Sequence, residues 1–98
     1  MGVREHNIEK YLDDQVTALG GITRKWVSPG RDGVPDRIVR LPSWPPGVVW
    51  CVEVKTINGY TSAVQTREHH RLRSAGMNVS TVFGTPDVDA LIEKWRTI

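Results

Sequence analysis

Ile8, Leu12, Val16 and Leu19 recur at helical spacing and mark one apolar face, which predicts a helix over residues 4–19. Gly20-Gly21 supplies its stop. Residues 22–27 carry Ile, Thr, Trp and Val and read as a short strand, and the Pro- and Gly-rich stretch 28–35 reads as a loop. A second strand is predicted over 36–41, with Val39 and Leu41 on one face and Ile38 on the other. Pro42, Pro45 and Pro46 interrupt any ladder and turn the chain into a third, Val-rich strand over 48–56, antiparallel to the second. After a turn at 58–61, Ser62 caps a helix reaching about Ala75 and ended by Gly76. Asn78 to Phe83 forms a fourth strand, and a last helix carries Val88, Leu91, Ile92 and Trp95, with Thr85 as N-cap and Pro86 at the first helical position. The predicted order is αβββαβα, an α/β fold in one domain spanning residues 1–98.

At 98 residues the chain supports one modest core, and 39% hydrophobic with 24% charged residues excludes a disordered segment. Val48 to Val52 is the longest apolar run, far below the roughly 20 residues of a membrane span. No apolar signal segment follows Met1-Gly2, so the expectation is a cytoplasmic protein without membrane partners. The lone Cys51 excludes an internal disulfide and a CxxC metal site. A net charge of +2 permits nucleic-acid binding without requiring it. Its distribution is more telling: Arg67, His69, His70, Arg71 and Arg73 crowd one stretch, while acidic residues lie toward both ends.

Strand alternation places Cys51, Glu53 and Lys55 on one face of the third strand and Trp50, Val52 and Val54 on the other. A carboxylate beside an ammonium on an apolar central strand is poorly explained by stability, because desolvation offsets their attraction. In Gly33-Val34-Pro35-Asp36 the proline restricts Val34 and delivers Asp36 to the start of the second strand. Two neighbouring strands can thereby bring Asp36, Glu53 and Lys55 to one end of a sheet. Mg²⁺ takes oxygen ligands, often one or two carboxylates with waters and a phosphate. Asp36 and Glu53, with the Val54 carbonyl, supply such a set, and Lys55 is placed to orient a water and offset charge on a phosphate. Gln65, early in the next helix, is within reach of the same chemistry. That chemistry is phosphodiester hydrolysis; no Ser or Cys has an evident base for nucleophilic catalysis, and no organic cofactor is indicated.

Gly33-Val34-Pro35-Asp36-Arg37-Ile38-Val39, then Val52-Glu53-Val54-Lys55-Thr56, then Gln65 and Gly76 before a strand, resemble the VRR-NUC nucleases, a branch of the PD-(D/E)XK superfamily. The likeness runs from the first helix to the last strand and implies a restriction-endonuclease-like αβββαβ core with a C-terminal helix. It implies Asp36 and Glu53 as metal-binding acids, Lys55 as the catalytic lysine and Gln65 as the active-site glutamine. The superfamily often adds a first-helix glutamate, here Glu9 or Glu5, with Glu9 slightly favoured for its closeness to the apolar stripe. Stand-alone members of this size, mostly viral and bacterial, resemble homodimeric junction-resolving enzymes.

The expectation is therefore an Mg²⁺- or Mn²⁺-dependent, structure-selective DNA endonuclease in a bacterial or phage-infected cell. Its substrate would be branched DNA, foremost a Holliday junction, cut by a homodimer. Alternatives are a non-catalytic DNA-binding or assembly module of the same fold, and a nuclease for flaps or RNA. Arg24, Lys25, Arg31, Arg37, Arg67, Arg71 and Arg73 are the candidate phosphate contacts. His69 and His70 point to different helix faces and are read as structural or solvated. Of the four tryptophans, Trp50 and Trp95 fit the core, whereas Trp44 fits either a dimer or DNA contact or simple loop packing.

Overall fold

The computed structural model describes residues 4–98; Met1-Gly2-Val3, where the search for a signal segment began, lie outside them. The elements are α1 (Glu5–Ala18), β1 (Ile22–Lys25), β2 (Arg37–Arg40), β3 (Trp50–Lys55), α2 (Ala63–Ser74), β4 (Asn78–Phe83) and α3 (Gly84–Trp95). The strands form one mixed sheet in the order β1-β2-β3-β4. β1, β2 and β3 make an antiparallel meander, and α2 is the crossover that returns β4 parallel to β3.

The differences from the sequence expectation lie at element ends. β1 ends at Lys25, and β3 begins at Trp50, because the Val48 N–H is taken up by the Pro45 carbonyl in the preceding turn. α3 follows β4 directly at Gly84, and Thr85 is not its N-cap. Gly84 makes the corner with a φ of +81°, and the Asp87 carboxylate accepts the Phe83 N–H at 2.8 Å.

α1 and α3 pack on one face of the sheet, where Ile8, Leu12 and Val16 meet Val52, Val54, Val88, Ile92 and Trp95 in a continuous core. Each fully buried aliphatic side chain there contributes about 1.5–3 kcal/mol. α2 takes the opposite face over β3 and β4, so β3 is buried on both sides from Trp50 to Val54. Its two faces therefore meet different neighbours: aliphatic helices on one side, a polar helix on the other. Among the described residues no helix is long and apolar enough to cross a membrane.

Trp44 belongs to the core, which decides between the readings given to it above. It is 3% exposed, its indole N–H donates to the Trp95 carbonyl at 2.8 Å, and its ring stands edge-on to Trp95 at 5.4 Å. The proline-rich loop folds inward because the Arg40 guanidinium donates to the carbonyls of Trp44, Pro45 and Val48. Trp44→Ala should destabilise the fold by about 3–5 kcal/mol in urea unfolding, as expected for truncating a buried aromatic. Trp44→Phe should cost less, since only the indole hydrogen bond and part of the packing are lost.

Candidate active site

Register brings the two acids together. β2 and β3 pair Arg37 with Val52, Ile38 with Cys51 and Val39 with Trp50. Extending that antiparallel register by one residue sets Asp36 opposite Glu53, and directly opposed residues share a face. The Asp36 carboxylate accepts the Val54 N–H at 2.7 Å and so is tied to the strand that carries Glu53. Its loop approaches closely because Gly33 has a φ of +89° and lies against the first turn of α2, where a Cβ would sit 2.8 Å from the Val64 carbonyl oxygen. Glycine is required there on both counts.

Glu53 is 2% exposed and faces α2. Its Oε2 receives Gln65 Nε2 at 3.0 Å and lies 3.4 Å from Lys55 Nζ. The glutamine is oriented by its own helix. Ser62 Oγ accepts the Gln65 N–H and Gln65 Oε1 accepts the Ser62 N–H, a reciprocal capping box. With Oε1 engaged in the cap, the Nε2 donor is left to the carboxylate. One pair of hydrogen bonds thus starts the helix and aims the amide.

His69, one turn beyond Gln65, was read from the sequence as structural or solvated, and it belongs to this cluster. It is 2% exposed, with Nε2 at 3.8 Å from Glu53 Oε1, and neither atom has a hydrogen-bond partner among the described residues. The i, i+4 spacing from Gln65 was the available signal, because it places both side chains on one helix face. Desolvation by burial and then the Arg73 charge push the ring toward its neutral form, with partial opposition from the Gly33 backbone and from Asp36 and Glu68.

The first-helix glutamates separate sharply. Glu5 lines an open cleft of about 410 Å³ with Lys55, Asn58, Gly59, Tyr60 and Gln65. Glu9, the slightly favoured alternative, lies on the other side of the sheet, 2.7 Å from Arg37 Nε and 3.6 Å from Lys25 Nζ. Arg37 also pairs with Asp13 at 3.1 Å. Lys25 and Arg37 are therefore engaged on the α1 face, away from Glu53. Arg73 is turned to the Val79 carbonyl. Arg24, Arg31, Arg67 and Arg71 are exposed, the second and fourth sharing Glu68. Cys51 is buried on the Glu53 face, and desolvation raises its thiol pKa, as suits a filler.

Burial, then the Asp36 charge, raise the Glu53 pKa from 4.5 to about 7, with Lys55 opposing. The folded protein thus prefers protonated Glu53 more than the unfolded chain does. The contribution of Glu53 to stability is fullest below the ordinary carboxylate range and is lost as pH rises toward 7. In EDTA, thermal unfolding should show a loss on the order of 2 kcal/mol across that window, and Glu53→Gln should flatten this part of the profile.

No family model matches the chain. It is 42% identical over 90 residues to a curated protein named "Putative nuclease p44" from Acyrthosiphon pisum secondary endosymbiont phage 1, covering 92% of each chain. Among solved structures it is similar to a VRR_NUC domain, with a TM-score of 0.83 and 43% identity, covering 93% of this chain and 96% of that one. Shared sequence over nearly the full length, on a shared fold whose sheet opposes Asp36 and Glu53, places the chain in the VRR-NUC family of nucleases.

Proposed function

We propose that this nuclease is a metal-dependent, structure-selective DNA endonuclease that hydrolyses phosphodiester bonds and resolves four-way junctions as a homodimer. The observation that carries the proposal is the opposition of Asp36 and Glu53 in a desolvated site with Lys55 alongside. Two carboxylates raise one another's proton affinity, and a cation between them relieves that repulsion. Glu53 also keeps one buried oxygen, Oε1, without a hydrogen-bond partner among the described residues. Among the described residues no group of three or more His, Cys, Asp or Glu gathers closely enough to hold an ion by itself; two carboxylates and a backbone carbonyl are hard oxygen donors, which Mg²⁺ and Mn²⁺ accept with waters and a substrate phosphate completing the shell.

Asp36 and Glu53, with the Val54 carbonyl, are the groups that would hold the ion, and Glu5 is the first-helix glutamate that lines a cleft with Lys55 and Gln65, the two side chains beside Glu53. Bound there, the ion would supply Lewis-acid polarisation of the phosphate and a more acidic water. Gln65 steadies Glu53 through its amide. Lys55 sets a positive charge at the cleft, where it offsets charge building on the phosphate and orients the attacking water.

The substrate reading rests on size and symmetry. A 98-residue chain has little surface for a branched duplex, and a two-fold dimer would set one cleft against each of two strands. Of the candidates for phosphate, Arg24, Lys25, Arg31, Arg67, Arg71 and Arg73 are exposed and Arg37 is half-buried, and such contacts give affinity without base specificity.

Labelled four-way junction, flap, duplex and single-stranded DNA, with an RNA version of the flap, should be incubated with Mg²⁺, Mn²⁺ or EDTA. Paired nicks in the junction, lost in EDTA and reduced about 10²–10³-fold by Lys55→Ala, are expected. Cutting of flaps or RNA in preference would retain the nuclease and overturn the junction assignment. No cutting of any substrate by folded, DNA-binding protein would favour a non-catalytic module. Glu5→Gln should raise the Mg²⁺ concentration needed for half-maximal cutting by about tenfold or more, whereas Glu9→Gln should act mainly on thermal stability, because it removes a partner of Arg37.

A further inference from the structure

The loop leaving β3 is unusual for a solvent-facing turn. Within four residues of one another it carries Ile57 and Tyr60, which are 67% and 81% exposed. Of the two, Tyr60 shares a cleft with Lys55. Tyr60 lines the catalytic cleft, and Ile57 lines a second cavity of about 380 Å³ with Arg4, Ile8, Asn58, Thr85 and Pro86. Asn58 is common to both, so the two spaces share a wall. The loop is held in place: the Gly59 N–H donates to the Thr56 carbonyl at 2.9 Å, and a Cβ on Gly59 would lie 3.3 Å from Lys55 Cβ. An apolar cavity with a few polar groups and one cation at its margin, opening beside a phosphodiester-cleaving site, has the character of a small aromatic ligand site.

We propose that this cavity is a subsite for one unstacked nucleobase of the DNA substrate, adjoining the phosphate to be cut. Ile8, Ile57 and Pro86 give the base an aliphatic seat. Asn58 and Thr85 offer hydrogen bonds to its edge, and the Arg4 guanidinium offers a planar cation. Tyr60, on the other side of Asn58, presents a ring on which a neighbouring base stacks. A second copy of the chain is a poorer occupant, because the cavity shares its wall with the cleft that the substrate enters.

The consequence is selectivity by pairing state. Extruding a base from a duplex costs stacking and pairing energy, and costs least where a nucleotide is already unpaired. A nuclease with such a seat favours branch points and single-strand boundaries without reading sequence. The inference rests on the nuclease cutting DNA, and its test separates the two.

Junction and flap DNA carrying 2-aminopurine at successive positions around the branch should be titrated with protein in EDTA, reading fluorescence and anisotropy together. A rise in fluorescence at one position is expected, because the cavity is aliphatic and the probe leaves its stacked neighbours. Thr85→Phe, which fills the cavity, should abolish that rise. Ile57→Ser, at an exposed position that the core does not need, should weaken it about tenfold, and Met77→Ser, remote from the cleft, should leave it unchanged. Binding without any rise, or a rise that survives Thr85→Phe in folded protein, overturns the subsite while sparing the nuclease reading. So does a Thr85→Phe effect confined to the mass in light scattering, which would assign the cavity to contact between copies. Absence of DNA binding in anisotropy overturns both.

Discussion

A carboxylate buried on the central strand dominates this molecule, since stripping Glu53 of water costs several kcal/mol unless neighbours replace its hydration. The elements around it do not all serve that end. β3 brings Lys55 two residues along, α2 brings the Gln65 amide, and the loop before β2 brings Asp36, which worsens the repulsion. A sheet assembled for stability alone would place an aliphatic residue at this position. The structure keeps an acid there and surrounds it with groups that only partly satisfy it, and perturbed acids of this kind cluster at functional sites.

The sheet acts as a divider. On the α1 side, Glu9 and Asp13 neutralise Arg37 and Lys25 in a network that fastens helix to strands. On the α2 side, the acids meet the lysine and the amide. The difference between Glu5 and Glu9 is one helical turn, about 6 Å along the axis. That displacement is enough to move a carboxylate from the flat of the sheet to the end of β3, where the cleft opens. Local rigidity on the same side comes from small devices: a glycine that lets a loop press on a helix, and a capping box that also aims a side chain.

Much of this was legible without coordinates, because it depends on periodicity and short-range stereochemistry. Helical spacing gave α1 and α3, and proline and glycine marked the turns. Strand alternation alone put Cys51, Glu53 and Lys55 on one face, and the short antiparallel connection was enough to bring Asp36 to the same strand pair. The Ser62 cap and Gln65 were readable from adjacent residues. Besides the strand ends, the local misreading was Thr85 as a cap, which arose because a glycine with positive φ let β4 run straight into the helix.

What the tertiary structure alone decided concerns residues whose partners are distant along the chain. Trp44 lies in a polar, proline-rich loop, and nothing nearby reveals that its indole meets Trp95, 51 positions away. Glu9 looked as suitable as Glu5 until the helix was laid across β1 and β2. His69 could be structural or solvated until α2 was set against β3, and the apolar cavity exists only where α1, the loop after β3 and the start of α3 converge. Backbone periods determine which way a side chain leaves its own element, and the sequence by itself carries that information. What the side chain then meets depends on how elements far apart in the chain pack, and packing is a property of the assembled volume.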